Sequence, residues 1–203
     1  MERSDMVTTA TAISHELGLS PGSWSIDHTH SALLFSIRHL GLAKVRGRFD
    51  RFQATLDIGP TLAESRIDAV VDLASINTNN ADRDAHLRST DFFSTDEHPE
   101  MRFVSTSISL AGDELRVDGQ VTLNGRTRPL TLDVEFNGVQ EFPGRGIRHA
   151  GFSATGSLKR SDFGIEFGLL PIGIDTLALS DEVKIELDLE FIEPQGDAPN
   201  GTP

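Results

Sequence analysis

The sequence contains no cysteine and no tyrosine, and tryptophan occurs once. Without cysteine the protein can form no disulfide, no thiolate metal site and no Cys nucleophile. No segment approaches the ~20 consecutive apolar residues of a membrane-spanning helix, so we expect no stable membrane insertion. The N-terminus also lacks the basic start and unbroken apolar run of a secretory signal, which predicts a cytoplasmic protein.

Basic residues are scarce as well. The 203 residues include 18 Lys and Arg against 31 Asp and Glu, which gives a formal net charge of -13 at pH 7. Nucleic-acid binding depends on neutralising phosphates with Lys and Arg, so we expect no nucleic-acid partner. The same charge disfavours electrostatic binding to an anionic membrane surface.

The two ends of the chain differ in composition from its centre. Residues 1–22 are mixed and polar and end in Ser-Pro-Gly, so we predict an N-terminal tail. Residues 194–203 are rich in Pro, Gly and Asn, which predicts a disordered C-terminal tail. One folded domain is therefore expected over residues 23–193, a length that buries a sizeable core.

Within that domain apolar and polar residues alternate, which is the pattern of half-buried β-strands. The clearest run is Glu114–Leu123, and the same period returns at Leu130–Phe136 and Val183–Phe191. Asn124-Gly125 separates the first two runs and predicts a type I′ hairpin, since both central residues of that turn need a positive φ. Further strands are expected at Ala32–Arg38, Val45–Ile58, Arg66–Leu73, Met101–Leu110 and Ala150–Arg160.

Two features interrupt the alternation. The period breaks at Phe49-Asp50-Arg51-Phe52, which predicts a β-bulge that bends one long strand. The segments His39–Lys44 and Asn80–Ser89 are predicted to be short helices, and Asn80 is a suitable N-cap for the second of them.

Eight or nine strands with one apolar and one charged face have few arrangements. The apolar side must be covered by a second sheet or by closure of the sheet on itself. Long strands such as Val45–Ile58 favour a barrel over a sandwich. The pattern therefore predicts an all-β fold, an extended antiparallel eight-stranded barrel with one or two short helices. Its interior is either filled by side chains or holds one small ligand.

A series of motifs in this order resembles the YceI family, and the resemblance covers about residues 23–192. The motifs are Trp24-Ser-Ile-Asp27-His28-Thr-His30-Ser31, Phe35-Ser-Ile-Arg38-His39, Gly47-Arg-Phe49, Ser75-Ile-Asn-Thr78, Arg83-Asp84-Ala-His86-Leu87-Arg88-Ser-Thr-Asp91-Phe92-Phe93, Pro99-Glu-Met-Arg-Phe103, Asp118-Gly119-Gln-Val-Thr-Leu-Asn124-Gly125 and Arg160-Ser-Asp162-Phe163-Gly164-Ile165. The resemblance implies a lipocalin-like barrel whose interior binds a polyisoprenoid, such as an isoprenoid quinone, or another long-chain amphiphile. It implies a non-catalytic carrier with no cofactor other than the bound lipid.

The twelve phenylalanines supply wide apolar walls without phenolic hydroxyls that need partners. For any single Phe, filling the core is the simpler interpretation. As a set they suit a ligand cavity, which is mostly apolar. The apolar residues of the matching motifs are therefore the candidate ligand contacts: Phe35, Ile37, Phe49, Phe52, Phe92, Phe93, Phe103 and Phe163.

Two histidines are further candidates. On a strand, His28 and His30 would point to the same face, which is also a metal-ligand spacing. The simpler interpretation is that both form hydrogen bonds at the rim of a pocket. We predict no metal and count both histidines among the ligand-binding residues.

Arg83 and His86 lie in the second predicted helix. They would close one end of the barrel or meet the head group of a ligand. The simpler interpretation is a solvated helix surface, on which Asp84 and Arg88 would form an ion pair at i, i+4.

Two other functions remain open. A metal-dependent cupin-like enzyme would use His28, His30 and His86, whereas a packed barrel would serve as a protein-interaction module. No Gly-x-Ser-x-Gly motif accompanies the absence of cysteine, so we predict no enzyme activity. The segment Phe163–Leu179 is long, apolar and glycine-rich, and it either gates the barrel mouth or covers an edge strand. A homodimer is compatible with such a barrel.

Overall fold

The computed structural model describes residues 17–112, 114–173 and 176–194, without the side chains of residues 173 and 176. Most of the two predicted tails lies outside these residues. The described chain contains one α-helix, α1 (Ala81–Arg88). Its strands are β1 (Gly22–Ile26), β2 (Ala32–His39), β3 (Ala43–Phe49), β4 (Phe52–Ile58), β5 (Arg66–Asp72), β6 (Ile76–Asn77), β7 (Glu100–Ala111), β8 (Glu114–Leu123), β9 (Arg126–Phe142), β10 (Ile147–Lys159), β11 (Pro171–Gly173), β12 (Thr176–Leu177) and β13 (Leu179–Ile192).

The strands close into one barrel, which confirms the predicted eight-stranded antiparallel fold. Neighbours pair in the order β1, β4, β5, β7, β8, β9, β10 and β13, and the pairing of β1 with β13 closes the ring. β2 lies beyond β1 on the same side of β13, and β3 pairs with β2. The hairpin predicted at Asn124-Gly125 joins β8 to β9 and is confirmed, with φ angles of 48° and 67°.

The expected long strand Val45–Ile58 is two strands rather than one bulged strand. β3 pairs with β2 and β6, whereas β4 pairs with β1 and β5, so the chain changes partners at Asp50 and Arg51. Both backbone amides bond to Ser75, Asp50 N to the carbonyl oxygen at 3.1 Å and Arg51 N to Oγ at 3.0 Å. The predicted bulge was wrong, because a neighbouring turn supplies these acceptors and lets the strand end.

The helix α1 was correctly predicted, including its N-cap. The Asn80 side chain accepts a hydrogen bond from the Arg83 backbone amide at 2.9 Å. The expected ion pair of Asp84 with Arg88 does not form, because Asp84 is buried. Its Oδ1 accepts hydrogen bonds from the backbone amide of Thr78 at 2.9 Å and from the Thr78 hydroxyl at 2.5 Å. These bonds fix α1 to the end of β6.

The other predicted helix, His39–Lys44, was wrong, since these residues form the hairpin that joins β2 to β3. Leu42 N donates to the carbonyl oxygen of His39 at 3.0 Å. Between them, Leu40 and Gly41 have φ angles of 54° and 70°. Positive φ at both central residues is what a type I′ turn requires. The apolar Leu-Gly-Leu-Ala sequence concealed the turn.

The left-handed conformation of Leu40 predicts a stabilising substitution. Leu40→Asn should raise the free energy of unfolding by about 1 kcal/mol, because Asn tolerates a positive φ better than a bulky side chain. The single tryptophan, Trp24, is fully buried, so its fluorescence reports unfolding in urea. Leu42→Asn is the matched control, because Leu42 is 83% exposed and its φ is not positive. Equal effects of the two substitutions would contradict the assignment of strain to Leu40.

Candidate functional site

The inward faces of the strands enclose an apolar cavity of about 500 Å³. Leu115, Val117, Val121 and Leu123 of β8 show how the alternation builds it, since all four are buried and line the cavity. The charged residues between them point outward. The volume lies within the range of roughly 300–1,000 Å³ that is usual for ligand pockets.

Glycines in the wall explain why the interior is not filled by its phenylalanines. Gly47 pairs with Phe35 across β2 and β3, and a Cβ on Gly47 would lie 2.4 Å from Phe35 Cζ. A Cβ on Gly119 of β8 would likewise lie 2.3 Å from Cζ of Phe103 on β7. Each ring therefore occupies the space that a side chain on the adjacent strand would take. The rings lie along the wall and leave the centre of the barrel open.

One end of the cavity is covered by apolar residues. Leu19 and Leu62 are buried and line the cavity there, together with Ile58 at the end of β4. Ser65 is the polar lining residue at this end, and its hydroxyl already bonds to the Thr61 carbonyl oxygen at 3.0 Å. A ligand that reaches this end would contact almost only apolar side chains.

The opposite end, beside α1, carries the other polar lining residues, which are His39, Thr78, Arg83, His86 and Arg160. Arg83 donates from Nε to Thr78 Oγ1 and from Nη2 to the Thr78 carbonyl oxygen, both at 2.7 Å. Among the described residues, no ion pair includes Arg83. The remaining N–H groups of its guanidinium are available donors at the rim of an apolar cavity.

Arg160 is the most buried cation of this end, at 3% exposure. Its guanidinium donates to the backbone carbonyl oxygens of Ile165, Phe167, Leu179 and Ser180 at 2.7 to 3.1 Å. Burial lowers the pKa of Arg160. These bonds hold the segment after β10 against the start of β13, so Arg160 fixes the shape of this end of the cavity.

His86 forms an aromatic cluster at the same end. Its Nε2 lies 2.8 Å from Asp91 Oδ2, and its ring meets the rings of Phe92 and Phe167 edge-on at centroid distances of 5.1 and 4.8 Å. Phe167 is 48% exposed and belongs to the long glycine-rich segment. That segment also reaches the β2–β3 hairpin, because Leu40 N donates to the Ala178 carbonyl oxygen at 2.9 Å. The segment therefore lies at the α1 end of the cavity.

Most of the predicted site residues line the cavity: Phe35, Ile37, Phe49, Phe52, Phe92, Phe93, Phe103, Arg83 and His86. Phe163 is 1% exposed but packs in the core outside it. Sequence reasoning missed Leu19, Arg160 and Phe167. Leu19 was assigned to a tail, and the contacts of Arg160 and Phe167 join parts of the chain that no local pattern relates.

His28 and His30 lie away from the cavity, because Asp27–Ser31 is a turn between β1 and β2 rather than part of a strand. The expected common face therefore does not exist. His28 Nε2 is 3.2 Å from Gln53 Oε1, and His30 Nδ1 is 3.0 Å from Asp27 Oδ2. The two imidazoles face different neighbours.

Sequence and structure comparisons agree with this architecture. The family model of the YceI-like domain matches residues 24–191. The chain belongs to the YceI-like family. This YceI-like chain is 37% identical over 165 residues to Protein YceI of Shigella flexneri, a match that covers 81% of this chain and 82% of the relative.

Two solved structures share the fold of this YceI-like barrel. The crystal structure of the Campylobacter jejuni YceI protein matches with a TM-score of 0.67 at 31% identity, over 78% of this chain and 90% of that one. A polyisoprenoid binding domain from Saccharophagus degradans matches with a TM-score of 0.59 at 20% identity, over 84% and 98% of the two chains. Among the described residues, no helix has the length and apolar character to cross a membrane.

The close contact between Phe35 and Gly47 predicts the effect of adding a methyl group at position 47. Gly47→Ala should lower the free energy of unfolding by about 1–3 kcal/mol, because the Phe35 ring must move toward the lumen. It should also reduce binding of the apolar probe N-phenyl-1-naphthylamine, measured by fluorescence. Gly151→Ala is the control, since its Cβ would lie an acceptable 3.4 Å from Asn137 Cβ on the outer face. Loss of probe binding in both variants would contradict this explanation.

Proposed function

We propose that this YceI-like protein binds one long-chain amphiphile, a polyisoprenoid such as an isoprenoid quinone, inside the barrel and carries it without chemical change. The observation that supports this most directly is the distribution of polar side chains along the cavity wall. It is apolar between the two ends, and nearly all of its polar side chains lie at the α1 end. Such a wall suits a hydrocarbon chain with a single polar head.

The affinity would come from the length of chain that is buried. Apolar surface contributes about 25 cal/mol per Å² removed from water, whereas association and ordering of the chain oppose binding. A long flexible chain buries more area for one association event than a short one. The cavity would therefore favour long chains without a specific contact to each unit.

The polar residues at the α1 end support one orientation of the ligand. The free N–H groups of Arg83 can donate to a head-group oxygen, and His86 lies at the same rim. The chain would then extend toward Leu19 and Leu62 at the far end. The Saccharophagus degradans domain, which is described as polyisoprenoid binding, shares the fold and supports this class of ligand.

Binding without chemistry is favoured over an enzyme by the placement of the polar groups. Ser65 and His86 lie at opposite ends of the cavity, so they cannot act as nucleophile and base. A cupin-like metal site of His28, His30 and His86 does not assemble, because only His86 reaches the cavity. The open interior also disfavours a packed barrel that acts only as an interaction module. The cytoplasmic location and the homodimer stay predictions.

The proposal is tested by measuring whether a lipid co-purifies with the protein. The protein purified from its native host, without added lipid, should release a polyisoprenoid on organic extraction, identified by mass spectrometry. Ala154→Phe should abolish this recovery, because Ala154 lines the middle of the cavity and the ring would fill it. Thr155→Phe places the same ring on the outer face and should leave recovery unchanged. Repeated preparations that carry no lipid and bind no isoprenoid would refute the proposal.

A second experiment tests the proposed orientation of the ligand. Arg83→Gln should weaken binding of a long-chain isoprenoid quinone by about tenfold, since a hydrogen bond to a charged group contributes about 1.5–3 kcal/mol. Binding of squalene, an isoprenoid hydrocarbon without a polar head, should not change. Competition against a fluorescent apolar probe measures both affinities. Equal losses for the two ligands would show that Arg83 supports the cavity rather than the head group.

A further inference from the structure

Two histidines and two carboxylates meet on the outer face of the barrel, at the end opposite α1. The turn between β1 and β2 supplies Asp27 and His30, β10 supplies His149, and β13 supplies Glu190. We call these four residues the His–carboxylate cluster. It lies outside the cavity wall, because none of the four lines the cavity.

The ligand atoms of the cluster are already close together. One side-chain ligand atom from each of Asp27, His149 and Glu190 lies within 4.8 Å of the others. His149 Nδ1 is 2.7 Å from Glu190 Oε1. His30 Nδ1 is 3.0 Å from Asp27 Oδ2 and 3.7 Å from Glu190 Oε1. Four ligands around a tetrahedral zinc ion are about 3.4 Å apart, given bond lengths of about 2.0–2.2 Å.

The positions of two ligands are set by further hydrogen bonds that do not use Asp27 Oδ2 or Glu190 Oε1, the oxygens that face the histidines. Asp27 N donates to the Glu190 carbonyl oxygen at 2.7 Å, and Glu190 N donates to Ser31 Oγ at 2.9 Å. Asp27 Oδ1 accepts from Thr29 N at 2.8 Å, so Oδ2 points to the cluster. Secondary bonds of this kind orient the ligands of metal sites.

Three of the four side chains are largely buried and the fourth is exposed, so a metal ion can enter from the solvent side. The side chains of Asp27, His149 and Glu190 are 13%, 20% and 32% exposed, whereas that of His30 is 61% exposed. Asp27, His149 and Glu190 would therefore form the partly buried side of the site. His30 can move to close the site over the ion.

We propose that the His–carboxylate cluster binds one divalent first-row transition-metal cation, for which Zn²⁺ is the appropriate probe. Two imidazole nitrogens and two carboxylate oxygens suit zinc, whereas Ca²⁺ and Mg²⁺ prefer sites built from oxygen alone. Two carboxylates also balance the two positive charges of the ion. The bound metal would join the β1–β2 turn to β10 and β13, next to the pairing that closes the barrel.

Protons are the competing occupants of the cluster. A hydrogen bond to Asp27 and the charge of that carboxylate raise the pKa of His30. Without a metal, protonated His30 would form ion pairs with Asp27 and Glu190, and protonated His149 would form one with Glu190. The experiment therefore has to distinguish a metal site from a set of hydrogen bonds.

Calorimetric titration of the chelator-treated, tag-free full chain with Zn²⁺ makes this distinction. The wild type should bind one Zn²⁺ per chain with a Kd of about 10 µM or tighter. His149→Gln and Glu190→Gln should each weaken binding by at least about tenfold. His28→Ala is the matched control, because His28 lies in the same turn but bonds to Gln53, and its affinity should equal that of the wild type.

A second readout covers variants that fold poorly. Zn²⁺ should raise the Tm of the wild type and of His28→Ala, and leave that of His149→Gln unchanged, while Ca²⁺ and Mg²⁺ raise none of them. Wild-type protein that binds no Zn²⁺ in this range would overturn the proposal. Equal loss of binding in the His28 and His149 variants would also overturn it, because binding would then be non-specific coordination by surface histidines.

Discussion

Phe35 and Phe103 lie against Gly47 and Gly119 on the neighbouring strands, and the open interior of the barrel depends on these contacts. An eight-stranded barrel has an interior just wide enough for its own side chains, so large inward residues would normally fill it. A glycine beside each ring gives the ring a place against the wall. The same phenylalanines can then provide apolar surface without occupying the space that a ligand needs.

The way in which β13 closes the barrel gives the two ends of the barrel different chemistry. β13 pairs with β10 along most of its length and with both β1 and β2 on its other side. The turn between β1 and β2 therefore lies on the seam, which is where the His–carboxylate cluster forms. At the other end α1 and the segment after β10 cover the lumen and bring Arg83, His86 and Arg160 to it. A ligand with one polar head would distinguish these ends.

Local patterns in the sequence were sufficient for strands such as β8 and β13, the turn at Asn124-Gly125 and the capped helix α1, because each depends on residues close in the chain. They failed where a strand or helix pattern was assumed for residues that form a turn. His28 and His30 share a face only on a strand, and the chain turns there. Leu40-Gly41 adopts the turn that Asn-Gly usually marks. The buried contacts of Arg160 and the hollow lumen arise from distant strands, so no local pattern could reveal them.

The single extended ligand chain that we propose would be visible as electron density inside the barrel. A crystal structure of the protein purified from its native host should show continuous, elongated density from the α1 end, beside Arg83 and His86, toward Leu19 and Leu62. A lumen filled by rearranged side chains, or occupied only by ordered water, would contradict the account.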